Sequence, residues 1–176
     1  MLDLAIEVIA GDWDQEPGLD ALCERAVRAA LQGAGHDAAL EAPGLDAEIS
    51  ILFADDGELQ RLNRDWRGKD RPTNILSFPM YPAAEAAGLL AADEGSFLLG
   101  DLALAHETVA GEAARDGKPF ADHLMHLLVH GTLHLLGHDH EEAAEAERME
   151  ALETRILATL GVPDPYAARP GVAADG

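Results

Sequence analysis

The run His130-Gly131-Thr132-Leu133-His134-Leu135-Leu136-Gly137-His138-Asp139-His140 carries the densest chemistry in the chain. It follows an apolar, helical stretch from Phe120 to Val129. Residues four apart share one helix face, so His130 and His134 point the same way, one turn apart. Two imidazoles in that relation can grip one metal ion. Gly137 then ends the helix, because glycine accepts the left-handed backbone that turns the chain back. After the turn His140 can return to the same point as a third ligand. His138 is its rival, but it falls inside the turn itself. Three His ligands on a tetrahedral ion leave one corner for water, which is the open arrangement of a catalytic site.

The spacing H-x3-H-x5-H, with glycine three after the second His, follows the metzincin protease pattern at every position but one. Those enzymes place a Glu general base directly after the first His. Here that place is Gly131, which can neither take nor give a proton. The metal cradle without the peptidase's base predicts hydrolytic metal chemistry on something other than a peptide. His123 and His126 lie one and two turns earlier on much the same face. Successive turns are ~5.4 Å apart, too far for all to reach one ion, so these two are expected to pack or to support the ligands.

The elements that must carry this site follow from hydrophobic period. Leu2, Leu4, Ile6 and Val8 alternate with polar neighbours as a half-buried strand does. Leu19, Leu22, Cys23, Ala26, Val27, Ala30 and Leu31 form one face of a helix entered near Pro17 and ended by Gly33 or Gly35. The single Cys23 lies on that stripe and belongs to the core. His36, in the loop beyond, is expected to be exposed. Ala47 to Phe53 reads as a second strand, and Asp55 or Asp56 caps a short helix from Glu58 to Asn63. A polar loop, Asp65 to Asn74, leads to a third strand, Ile75 to Phe78, stopped by Pro79. Residues 80–95, rich in Ala, Pro and Gly, read as a mobile surface excursion. Phe97 to Ala105 is a fourth strand, with Asp101 in its middle; an unpaired carboxylate there is costly, so pairing, hydrogen bonding or proximity to the metal is expected. Helices over His106 to Ala114, Phe120 to Leu136 and Glu141 to Leu160 complete the set. The six glutamates of the last helix read as a solvated face.

The reading is thus an α+β chain: a small, mixed four-stranded sheet covered by about five helices, one of them a metzincin-like metal-binding helix. Residues 1–166 form one domain, and 167–176 a disordered tail. No cysteine framework, secretory leader or apolar run of ~18 residues is evident, which points to a cytoplasmic protein without a membrane partner.

The formal net charge of −21 repels nucleic acid on average. Its distribution is uneven. Arg61, Arg64, Arg67, Lys69 and Arg71 fall within eleven residues, opposed there only by Asp65 and Asp70. Screening acts over ~8 Å at physiological salt, so such a patch can hold a phosphate while remote acids only weaken the long-range attraction.

Together these residues resemble the YbeY family of metal-dependent bacterial endoribonucleases. The His130–His140 run is similar to the family's HGxLHLxGxDH signature. Leu62 through Pro79, with Arg67-Gly68-Lys69-Asp70-Arg71-Pro72-Thr73-Asn74 at its centre, resembles the second signature. Leu99 to Leu102 and Leu160 to Tyr166 are similar as well. Trp66 stands where Tyr is more usual, and His138 where Tyr is often found. The resemblance implies one zinc ion held by His130, His134 and His140, and a functionally important arginine, here Arg67. It implies single-stranded RNA as substrate and a ribosome or ribosomal proteins as partners, in small-subunit rRNA 3′-end maturation and ribosome quality control. Other classes to weigh are a non-catalytic, zinc-stabilised ribosome assembly factor and a metallopeptidase. Thr73, Asn74 and Ser77 are candidates for polar contacts to the RNA.

Overall fold

A computed structural model of the chain describes residues 1–167. The chain runs β1 (Leu2–Val8), α1 (Leu19–Gly33), α2 (Asp37–Glu41), β2 (Gly44–Ala54), α3 (Asp56–Arg67), β3 (Ile75–Pro79), α4 (Ala83–Leu90), β4 (Glu94–Ala105), α5 (His106–Arg115), α6 (Phe120–Leu135) and α7 (Ala143–Thr159). A single 3-10 turn, Trp13–Gln15, follows β1. The sheet order is β1-β2-β4-β3. The first two neighbouring pairs are parallel, and β3 runs antiparallel to β4. The α+β class and mixed four-stranded sheet are as the sequence predicts. Among the described residues there are seven α-helices rather than about five.

Alternation along the strands sends side chains to two unequal cores. Ile49, Ile51, Phe53, Ile75, Leu102 and Leu104 join the larger core, which α1, α6 and α7 supply from their apolar faces. Ala54, Leu76, Ala103 and Ala105 face the other side, where Leu59 of α3 and half-buried Leu62 cover them. Cys23 is fully buried in the larger core, and burial pushes its thiol up to about 12. No helix among the described residues is long and apolar enough to cross a membrane.

Three departures from the sequence reading matter for the site. Helix α3 continues past Asn63 to Arg67: Asp55 caps it by accepting from the Glu58 N–H at 2.9 Å, and Gly68, at φ +69°, ends it. A cap of this kind contributes about 1 kcal/mol. Trp66 and Arg67 therefore sit on the last helical turn, not in a loop. Residues 80–95 contain α4, whose alanines favour the helix and which buries Ala86 and Leu90 one turn apart. Composition alone concealed that pattern. His36 is half-buried at the start of α2 rather than exposed, and burial lowers its pKa. The expected disordered tail lies outside the described residues, save Ala167, which stands in a turn.

Candidate metal centre

Helix α6 is buried nearly all round, from His123 to Leu135. His130 is 3% exposed and His134 half-buried. Their ring centroids lie 4.6 Å apart, with the two Nε2 atoms at 3.1 Å. Beyond the helix, the Gly137 N–H donates to the His134 carbonyl and the His138 N–H to the Leu133 carbonyl, both at 3.0 Å. Gly137 itself adopts φ +94°, which a side chain would resist, and any Cβ there would collide with Ala83 at the start of α4. The reversal returns His140, whose ring centroid lies 5.6 Å from that of His130 and 5.1 Å from that of His134. One ring nitrogen from each of the three lies within 4.8 Å of the others. His138 lines the neighbouring cleft and is not part of the cluster.

The donor chemistry fits a metal ion. Burial, then the neighbouring His130 and His140 rings, lower the His134 pKa to about 4. The imidazole is thus neutral at physiological pH, the state that ligates. His140 is exposed while His130 is not, so the cluster opens to solvent on one side. That suits an ion with a free coordination position.

Glu153 anchors the cluster from behind. Its carboxylate is fully buried, accepts the His130 Nδ1–H and the Tyr166 hydroxyl, and lies 3.6 Å from His126 Nε2. His126 Nε2 also sits 3.1 Å from the Tyr166 oxygen. Burial alone would raise the Glu153 pKa, but the His126 and His130 imidazoles outweigh it and hold it at about 2. Because Nδ1 of His130 is committed to Glu153, Nε2 is the atom turned to the cluster. Burial, and then the adjacent Glu153 charge, pushes the Tyr166 hydroxyl well above its usual range, so it stays a donor.

The solvated acidic face expected of the last helix is therefore wrong at Glu153. The signal was present: Glu153 stands four residues after buried Met149 and three before buried Ile156, on the inward stripe. Tyr166 gave no periodic signal and was missed as a site residue. Glu153→Ala is expected to weaken metal binding about 10- to 100-fold, read by competition with a chromophoric chelator. Glu153→Gln should recover part of that loss; unchanged affinity in the alanine variant would rule the buttress out.

Gly131 has a second reason to be glycine. A Cβ there would stand 2.7 Å from Ile75 Cδ1 and 2.9 Å from Leu102 Cδ2, because α6 lies directly on the sheet at this point. A side chain there, such as the glutamate that the peptidase pattern requires, would have to displace the buried Ile75 and Leu102 methyls.

Arg67, Lys69, Arg71, Thr73 and Ser77 line the same cleft, of about 660 Å³, as His134 and His140. Asp139 and Glu141 line it as well. Arg67 Nη2 donates to the Ser77 carbonyl at 2.6 Å, and its guanidinium carbon lies 5.6 Å from the centre of the Phe78 ring. One edge of the fork is thus fixed to β3 while the rest stays exposed. Asn63, only 3% exposed, donates to the Arg71 carbonyl at 3.0 Å and pins the basic loop. Asn74 does not serve the cleft as expected. It is 1% exposed, and its amide donates to Glu112 while its oxygen accepts from the Ile75 N–H. Ser77 Oγ is buried, with no hydrogen-bond partner among the described residues. Asp101 also departs from expectation: among the described residues its carboxylate has no hydrogen-bond partner, and it is not in the histidine cluster. It is half-buried, so water can reach it and the cost of burial is reduced. His123 behaves as a supporting residue, 3.0 Å from Glu112.

Comparison with known proteins points the same way. The family described as Endoribonuclease YbeY matches residues 13–161. A relative from Rhizobium meliloti (strain 1021), named Endoribonuclease YbeY, is 48% identical over 169 residues, covering 96% of this chain and 97% of its own. One of the same name from Bradyrhizobium diazoefficiens is 48% identical over 164 residues, covering 93% and 85%. The solution structure of a protein from Thermotoga maritima shares the fold at TM-score 0.52 and 20% identity, over 98% of this chain and 100% of the other. With the family model matching residues 13–161 and relatives 48% identical over nearly the whole length, this chain belongs to the YbeY family.

Proposed function

We propose that this protein is a zinc-dependent endoribonuclease that cuts single-stranded RNA, with His130, His134 and His140 as the ligands of one ion and Arg67 as the catalytic residue. The observation that carries the reading is the cleft, which brings His134 and His140 of the three-imidazole cluster together with the partly free guanidinium of Arg67. The names of the relatives supply the substrate class. A zinc ion at the cluster supplies Lewis acidity toward a phosphoryl oxygen and lowers the pKa of water. Arg67 offers a planar set of donors that fits two phosphate oxygens, and it faces the charge that builds as phosphorus becomes five-coordinate. Lys69 and Arg71 bind the flanking phosphates. His130 and His134 are oriented by Glu153 and by the helix, so little reorganisation is needed as charge develops. Among the described residues the cleft holds no carboxylate in the place of the peptidase base, and Gly131 disfavours peptide hydrolysis.

Ribosomal RNA as the substrate, in small-subunit 3′-end maturation and quality control, with a ribosomal partner in the cytoplasm, rests on the family resemblance alone. The activity is tested with a labelled single-stranded RNA and its duplex. Zinc-loaded protein should cut the single strand at internal positions and spare the duplex, and chelation should stop it until zinc is restored. Zinc-loaded protein that cuts neither, or cutting unaffected by complete metal removal, would contradict the reading. A 2′,3′-cyclic phosphate on the product would identify the RNA 2′-hydroxyl as the attacking group rather than water.

A further inference from the structure

The chain has two tryptophans, and they are used in opposite ways. Trp13 is 2% exposed, packs against Phe53, and donates its indole N–H to the Ala54 carbonyl at 2.9 Å. Trp66 is 72% exposed, and its indole N–H has no acceptor among the described residues. It stands beside Arg67 on the last turn of α3 and meets Phe78 edge-on, with ring centroids 6.4 Å apart. Phe78 is the same ring that the Arg67 guanidinium covers. Met80, two residues after Phe78, is also 49% exposed. Trp66 and Phe78 do not line the cleft itself, but the indole stands in water one residue before Arg67, which does.

The charge of the molecule limits which forces can hold an RNA strand there. At a net −21 the protein repels a polyanion at long range, and within the basic segment Arg61 and Arg64 are already engaged with Glu58 and Asp65. Phosphate contacts from the remaining cations are few, and salt weakens them further. Base stacking does not depend on counterion release, and it is available only where bases are unpaired.

We infer that Trp66, backed by Phe78, is a stacking platform for a nucleobase adjacent to the phosphate bound by Arg67, and that it supplies the salt-insensitive part of single-strand binding. The inference rests on the RNA reading of the cleft. It gives a physical reason for a preference for single strands, since a base paired in a duplex offers no free face.

The test is fluorescence anisotropy of zinc-loaded protein with two uncleavable probes: a 2′-O-methyl RNA 12-mer of mixed sequence, and an abasic oligomer of the same length and charge. Wild type should bind the base-bearing probe at least 10-fold more tightly than the abasic one. Trp66→Ala should lose that advantage, binding both probes with the wild-type protein's abasic affinity. Its dependence of log affinity on log salt should keep the wild-type slope, and Trp66→Tyr should restore most of the difference. Lys69→Ala should lower the salt slope instead and weaken both probes alike. Trp66→Ala binding the base-bearing probe as wild type does would overturn the inference, as would an equal loss on both probes. Wild type that binds neither probe would overturn the RNA reading itself, and the platform with it. Wild type that binds both equally would overturn the platform alone.

Discussion

Arg67→Ala is expected to slow RNA cleavage about 10²- to 10³-fold while leaving metal content and folding unchanged. The magnitude follows from removing one preorganised donor set aimed at a developing oxyanion. The selectivity follows from where Arg67 sits. Its side chain is exposed apart from the hydrogen bond to the Ser77 carbonyl and the contact over Phe78. Truncation removes one hydrogen bond to a backbone carbonyl of the edge strand β3, and no buried charge is left unpaired. No ligand nitrogen is touched. Arg67→Lys keeps the charge but loses the fork, so it should recover only a small part of the rate. The measurement is single-turnover cleavage alongside elemental analysis and thermal melting of the same preparations. Cleavage at the wild-type rate in Arg67→Ala would remove this residue from the mechanism.

His130→Ala is expected to abolish both metal binding and cleavage, and to destabilise the metal-free protein as well. The last effect separates it from the other ligands. His130 is the partner of a carboxylate with no solvent exposure, held at a pKa of about 2 by its neighbours. Removing His130 takes one donor from that buried carboxylate and leaves it only Tyr166 and the His126 ring, at a cost of about 2 kcal/mol. His140 is exposed and comes from the chain beyond the helix end, so His140→Ala should lose metal and activity with little change in metal-free stability. Melting curves of both variants in the presence of chelator make the comparison. Equal stability of the two would show that Glu153 is not anchored through His130. A His130→Ala protein that retains full metal and activity would exclude it as a ligand.

Much of the site was legible because its geometry is local. Four-residue spacing on a helix fixes His130 against His134, and a glycine in the left-handed region fixes the reversal that brings His140 back. The basic segment was legible as charge, and the sheet as strand periodicity. What depended on tertiary packing was not. Glu153 looked like one acid among six until the helix was seen to turn it inward onto His130. Tyr166 lies in a turn with no period to betray it, 13 residues on from the carboxylate it serves. Asn74 lies in a motif that invites a substrate role, yet Glu112 claims its amide from α5. The packing at Gly131 is equally non-local: sequence shows a missing base, whereas only the fold shows that a Cβ there would press on Ile75 and Leu102. Helix α4 was hidden because a run of alanines carries helix propensity without an amphipathic stripe.

The central claim is that three imidazoles hold one ion with a corner left open toward the cleft. X-ray absorption at the metal edge, with elemental analysis of the same purified protein, tests it most directly. One zinc per chain, coordinated by three imidazole nitrogens and one exchangeable oxygen, is the predicted result. A fourth ligand from the protein, or an ion whose spectrum is unchanged in His134→Ala, would contradict it.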